Sequence, residues 1–363
     1  MSVMDSTFNY NLVILGRQLR RKTQADLAKS ISINQGHLSR IENGLIEPSE
    51  IMLNKIADIL EFPKDFFYQS DRIYGSPISI HPMHRKKASV RQYVLEPIDA
   101  ELNIRLMHLR RLLKSVKVDR QFEIPEIDID EYNGDLEKIA EVVRRTWLLP
   151  RGPLKNLTEC LEQAGCIVIL CDFSTALIDG VSYYSIPELP PCIFLNSNQP
   201  SDRMRFTLAH ELGHLVMHRI PTPDMEDQAN KFASALLLPL NEIKSDLSGR
   251  ITLPRLASLK PIWRVSIQSL IMRASTIGAI SSTQSRYLWQ KINSSKFKFH
   301  EPPELDFAYE KPKILSMLFK KHIEELGYST EEIATVLNIK HSELLTMYPF
   351  LNIFQKRQLH LVS

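Results

Sequence analysis

The segment Phe206-Thr207-Leu208-Ala209-His210-Glu211-Leu212-Gly213-His214-Leu215-Val216-Met217-His218 decides most of what this chain can be. Positions 210–214 read H-E-x-x-H inside an apolar run that suits a buried helix. Helical residues four apart share a face, so His210 and His214 can both reach one Zn2+. Glu211 follows the first histidine by about 100° around the axis. Its carboxylate therefore points past the metal, toward the water that the ion activates. A carboxylate there can take a proton from that water, whose pKa zinc lowers to roughly 7. The competing reading is an amphipathic core helix with partly exposed histidines.

A zinc peptidase needs a third protein ligand and an open fourth position. The extended H-E-x-x-H-x-x-G-x-x-H scheme fails here, because positions 217 and 220 hold Met217 and Ile220. The third ligand must come from elsewhere. Downstream runs Glu226-Asp-Gln-Ala-Asn-Lys-Phe-Ala-Ser-Ala-Leu-Leu-Leu-Pro239, in which Ala229, Phe232, Ala233, Leu236 and Leu237 form one helical stripe and Pro239 stops the helix. Glu226 and Asn230 lie one turn apart, so an acidic side chain can be presented back to the first helix. Small residues at 229 and 233 would allow close packing.

Arg203-Met-Arg-Phe-Thr-Leu-Ala-His-Glu-Leu-Gly-His214, followed by Glu-x-x-Ala-Asn-x-Phe-Ala-x-x-Leu-Leu-x-Pro, resembles the ImmA/IrrE family of metallopeptidases. The resemblance implies His210, His214 and Glu226 as zinc ligands and Glu211 as general base. Asp224 and Asp227 are rival third ligands, ranked below Glu226. His218, one more turn along the face of His214, is read as a helix-end histidine facing a carbonyl or carboxylate, with a role in the cleft as the alternative. Cys166–Cys171 and Cys192–Asn196 are short apolar runs that read as strands. Many zinc peptidases bind an extended substrate along such an edge. Tyr183 and Tyr184 could line the cleft, with ordinary packing as the plainer use.

The front of the chain carries an independent signal. Between Leu12 and Leu60 three helical stretches are joined by short turns. Thr23 is a helix N-cap with Asp26 in the first turn. Leu38 and Ile41 face inward, Gly44 is a C′ residue, and Asn34, Gln35, His37, Ser39 and Arg40 are left outward. Such hydrogen-bonding groups suit a recognition helix in a major groove, where Gln and Asn can pair with adenine and Arg with guanine. Leu19-Arg-Arg-Lys-Thr-Gln-Ala-Asp-Leu-Ala, Leu38-Ser-Arg-Ile-Glu-Asn-Gly, Pro48 and Ile56-Ala-Asp-Ile-Leu60 resemble the Cro/C1-type (Xre) helix-turn-helix. That resemblance implies a phosphate contact at Gln24 and an Arg17–Glu42 pair pinning helix to helix. Arg17, Arg20, Arg21 and Lys22 supply positive charge nearby. A protein–protein module with its DNA affinity lost is the competing use.

The remaining features bound the setting. A chain of 363 residues is expected to hold two or three domains. A net charge of +3 is too weak for indiscriminate nucleic-acid coating, so any DNA binding must be local. Cys160, Cys166, Cys171 and Cys192 lack metal or disulfide spacing and read as small buried residues in a reducing compartment. No signal peptide or membrane-length apolar run is read, so a cytoplasmic protein is expected, without membrane partners.

The expected fold is mainly α with a small β-sheet (α+β). A helix-turn-helix bundle (8–70) and a linker (71–95) precede a zincin-like metallopeptidase domain (96–245) and C-terminal helices (246–363). Arg85-Lys86-Lys87 read as solvated linker charge. Ile98–Val116 and Asp135–Leu148 read as helices, and one such helix is expected to hold a homodimer. Residues 253–280 have helix-turn-helix spacing, which makes DNA contact by Lys260, Arg264 and Arg273 conceivable beside plain packing. The tail from Tyr328 reads as two short helices with an acidic face (Glu331, Glu332, Glu343) suited to partner docking. Two functions compete. One is a Zn2+ endopeptidase brought to a double-stranded DNA operator, cleaving a repressor or other regulatory protein in a mobile-element, stress or phage-defence switch. The other is a non-catalytic DNA-binding regulator or toxin–antitoxin component whose peptidase fold senses or binds.

Overall fold

The computed structural model describes residues 7–74, 92–175, 177–184, 188–294 and 301–354. These are mainly helical with one small sheet, as expected. They gather into two compact units, one of residues 7–74, 92–117 and 316–354, the other of residues 118–315.

The first unit begins with α1 (Tyr10–Leu19), α2 (Gln24–Ser30), α3 (Gln35–Glu42) and α4 (Glu50–Leu60). Polar caps start them. Thr23 and Asp26 close a reciprocal capping box on α2, Asn34 Oδ1 accepts from the His37 N–H at 2.7 Å, and Ser49 caps α4. Each cap satisfies an otherwise orphaned N–H and is worth about 1 kcal/mol. Leu12, Leu27, Leu38, Leu53 and Leu60 meet Phe62, Phe66 and Phe67 in one core. The next helix, α5 (Gln92–Ser115), sends Ala100, Ile104 and Met107 into that same core. Its Arg110 and Arg111 clasp Asp71, and the Asn103 amide brackets the backbone of Tyr74. This helix therefore belongs with the front bundle, although the boundary drawn from the sequence at 96 assigns it to the peptidase domain. The basic triplet Arg85-Lys86-Lys87 lies outside the described residues.

The second unit contains α6 (Leu136–Thr146), α7 (Leu157–Gln163), β1 (Ile167–Cys171), β2 (Gly180–Tyr183), β3 (Cys192–Asn196), α8 (Ser201–Met217) and α9 (Met225–Leu237). It continues with α10 (Leu240–Asp246), α11 (Leu253–Trp263), α12 (Ile267–Thr276) and α13 (Ser282–Ser294). The sheet order is β1-β3-β2, with β1 parallel and β2 antiparallel to β3. Helix α8 is buried on nearly every side between the sheet and α9, its polar residues Asp202, Arg205, His210, Glu211 and His214 included. Burial pushes the Cys166 thiol well up and that of Cys192 up to about 12, so both stay protonated and unreactive.

The chain then returns to the first unit through α14 (Ile314–Glu324), α15 (Thr330–Val336) and α16 (His341–Met347). The acidic residues of this tail serve the protein itself. Glu343 accepts from Arg20 at 2.9 Å, and Glu332 accepts from the Ser329 N–H in a capping box. Tyr348 meets the buried His108 of α5 at 2.9 Å. Among the described residues, no helix is long and apolar enough to cross a membrane.

Candidate functional site

Gly213 lets α8 and α9 meet. A Cβ there would stand 3.0 Å from Cδ1 of Phe232 and 3.3 Å from Cα of Ala229, so any larger residue would require α9 to give by a few tenths of an ångström. The stripe read from the sequence, Ala229, Phe232, Ala233, Leu236 and Leu237, is the face that α9 buries. On the sheet side Gly180 plays the same part, since a Cβ would come within 2.6 Å of the Thr207 methyl on α8. Asp179, held by Arg203 at 2.6 Å and by Gln199, pins the start of β2 to the first turn of α8.

Between these elements His210, His214 and Glu226 converge, with potential ligand atoms all within 4.8 Å of one another. Nε2 of His210 and Nε2 of His214 are 3.0 Å apart, and they lie 3.4 and 3.3 Å from the Glu226 carboxylate oxygens. Ligand atoms around a tetrahedral zinc with bonds of about 2.0–2.1 Å are separated by roughly 3.3 Å, so the donor set has the right size. Oε1 of Glu226 is buried with no hydrogen-bond partner, an orphaned acceptor that a cation would satisfy. The distal nitrogens are engaged: His210 Nδ1 with Asn230 Oδ1 at 3.0 Å, His214 Nδ1 with His218 Nδ1 at 2.9 Å. These residues fit one divalent ion. The rival carboxylates do not join them, since Asp227 pairs with Lys231 at 2.6 Å and Asp224 lies outside the cluster.

The electrostatics agree with a cation site. Burial pushes the Glu226 carboxyl up, but the two imidazoles facing it outweigh this and hold it well below the usual carboxylate range. Burial pushes His210 down, but Glu226, Glu211 and Asn230 outweigh it and leave His210 raised. Burial, aided by the nearby His214, pulls His218 down to about 4 against the bond from Gln228. Glu211 is buried beside the cluster, and the Ser182 hydroxyl on β2 donates to its Oε2 at 2.6 Å.

In the front bundle, Arg17 on α1 grips Glu42 on α3 with two bonds of 2.7 and 3.0 Å. Gln24 Nε2 donates to Glu42 Oε2 at 3.0 Å, and Gln35 Nε2 donates to Gln24 Oε1 at 3.2 Å. This line of bonds holds α1, α2 and α3 in register. Leu38 and Ile41 are fully buried, as read from the sequence, and Gly44 follows α3 at φ +68°. Asn34, Gln35 and Arg40 are exposed, while His37 and Ser39 are half-buried. Asn34 spends its side-chain oxygen on the cap, and the Ser39 hydroxyl accepts from Asn43 at 3.3 Å. Arg20 bonds Glu343 and the Leu60 carbonyl and lies over Phe62, so its charge is committed within the bundle.

Residues 161–275 match the family described as the IrrE N-terminal-like domain, a metallopeptidase family, and residues 16–67 match the helix-turn-helix family. The chain joins a helix-turn-helix domain to an IrrE N-terminal-like domain. A comparison with curated proteins finds no match.

The matched region takes in α11 and nearly all of α12, and Leu256, Trp263, Leu270 and Ile271 on these helices pack into the core of the second unit. Lys260 and Arg273 are each 1% exposed. Lys260 binds Asp202 and Glu301 at 2.8 Å each, and Arg273 binds Glu137 and the Leu238 carbonyl. Arg264 donates to the Lys155 carbonyl and lies near the Phe307 ring. Burial removes Lys260 and Arg273 from any DNA surface. Tyr183 packs edge-on against Phe194, the plainer of its two readings, while Tyr184 lies exposed beneath the Arg219 guanidinium. Sequence reasoning missed β2 altogether, and with it Ser182. A four-residue Gly-Val-Ser-Tyr run has no strand signal of its own and becomes a strand by pairing with β3. Gln228 was also missed, because nothing in its spacing marks it as a partner of His218.

Proposed function

We propose that this protein is a zinc-dependent endopeptidase whose helix-turn-helix domain brings it, as a homodimer, to a double-stranded DNA operator, where it cleaves a regulatory protein such as a repressor. The convergence of His210, His214 and Glu226 beside a carboxylate base that ligates nothing is the observation that carries this reading. When bound there, zinc supplies Lewis-acid chemistry, polarising a peptide carbonyl and acidifying water.

The chain's own residues do the rest. Among the described residues β2 pairs only with β3, so its outer edge can take an extended peptide as an added strand. Glu211, with one oxygen held by the Ser182 hydroxyl, uses the other to take a proton from the attacking water. It then passes that proton to the departing amine nitrogen. At the front, Gln35 and Arg40 are exposed on a helix braced by the Arg17–Glu42–Gln24 bonds, a fit for reading base edges. Two-fold operators present half-sites about 34 Å apart, which is the reason for assigning a dimer.

The test compares the parent with Glu211→Gln. Both should purify with about one zinc per chain, because Glu211 is not among the ligands. Cells carrying the parent should yield new protein N-termini that are missing with the variant, and the variant should retain the uncut target. Zinc in both chains with identical N-termini and identical biological activity would instead support the non-catalytic regulator.

A further inference from the structure

Behind the metal-facing edge of His214 lies a second series of contacts. His214 Nδ1 is 2.9 Å from His218 Nδ1, and His218 Nε2 is 2.9 Å from Gln228 Oε1. Both histidines are buried, and the bond between them is closed off from water. We infer that His218 and Gln228 are positioning residues that hold His214 in its metal-ligating tautomer and thereby set the affinity of the centre. The inference rests on the metal-centre reading above.

A neutral imidazole carries one N–H and one lone pair. Two Nδ1 atoms facing each other at 2.9 Å therefore share a single proton. The amide oxygen of Gln228 can only accept, which puts a hydrogen on His218 Nε2 and leaves its Nδ1 as a lone pair. His214 must then donate from Nδ1, and its Nε2 is left bare toward Glu226 and His210. The opposite sense, with the Gln228 amide nitrogen turned to His218, puts the proton on His214 Nε2 and closes that atom to a cation. One sense of the series is competent for metal and the other is not. Helix α9 thus delivers three things to one place: the ligand Glu226, Asn230 behind His210, and Gln228 behind His218.

The experiment measures Zn2+ affinity of the full chain by competition with a chromophoric chelator. The variants are His218→Phe, Gln228→Leu, Gln228→Glu and the double variant His218→Phe/Gln228→Leu. Circular dichroism of each metal-free chain checks folding. His218→Phe and Gln228→Leu should each weaken zinc by about 10- to 100-fold, the usual effect of losing an outer-shell partner. Gln228→Glu keeps an acceptor and should bind no more weakly than the parent. Because the two residues act in series, the double variant should be no weaker than His218→Phe alone. Additive losses, or a Gln228→Glu chain as weak as Gln228→Leu, overturn the relay. Should His218→Phe fail to fold, the contrast between the two Gln228 variants decides. A parent chain that binds no zinc refutes the metal centre itself, a result distinct from variants that all bind like the parent.

Discussion

Replacing Gly213 by alanine sets two local energies against each other. A glycine inside a helix costs roughly 0.5–1 kcal/mol relative to alanine, so the helix alone would gain from the change. The new Cβ, however, would stand 3.0 Å from Cδ1 of Phe232, 3.3 Å from Cα of Ala229 and 3.5 Å from its Cβ. Phe232 is fully buried and the Cα is backbone, so relief requires α9 itself to move by a few tenths of an ångström. Overpacking of this kind costs typically 1–3 kcal/mol, which leaves a net loss of about 0–2.5 kcal/mol. For a unit of this size each kcal/mol lowers the melting temperature by about 2–4 °C, so a fall of up to roughly 10 °C, and no rise, is expected in the metal-free protein. The same displacement carries Glu226 and Asn230 away from the histidines, so zinc affinity should fall as well. Scanning calorimetry and chelator competition measure the two effects. A Gly213→Ala chain that melts higher and binds zinc like the parent would refute the claim that helix–helix approach builds the site.

Two further outcomes test other parts of the molecule. Arg40→Ala should weaken binding to an operator selected from random duplex DNA by about 1–3 kcal/mol and relax discrimination at one base; unchanged affinity and footprint would remove Arg40 from base reading. His108 is held well below its usual pKa by burial, reinforced by Arg111 and Arg105. Its folded value is depressed, so below about pH 6.5 the unfolded chain binds a proton that the folded chain refuses. Stability of the first unit is therefore present above that pH and lost as pH falls. The melting temperature should drop between pH 7 and 5 less steeply in His108→Gln, and parallel curves for variant and parent would exclude His108 as the cause.

How much of this was legible in the residues depends on the distance over which each feature is specified. Helices α8 and α9, the inward stripe from Ala229 to Leu237, the Thr23 cap and the Leu38–Ile41 face all follow from spacings of three and four, which a helix converts directly into a face. Strand β2 has no such local pattern. Its four residues are extended because β3 lies alongside, and Ser182 meets Glu211 only because that strand packs on α8. Charge was the least reliable guide. In their helix-turn-helix spacing Lys260 and Arg273 suit DNA contact or plain packing equally, and the structure takes the second, each being enclosed with carboxylates far away in the chain.

Local order along the chain determined that two histidines and a glutamate share one helix, that an acidic helix follows, and that a capped helix-turn-helix bundle stands at the front, although it read as three helices what the structure folds as the four helices α1–α4. Tertiary packing decided which of three carboxylates faces the imidazoles, what stands behind each ring, and that α5 and the tail join the front bundle. The physical reason is range. Periodicity and capping act within a few residues, whereas the choice among Asp224, Glu226 and Asp227 turns on the close approach of α8 and α9 that a missing Cβ at Gly213 allows.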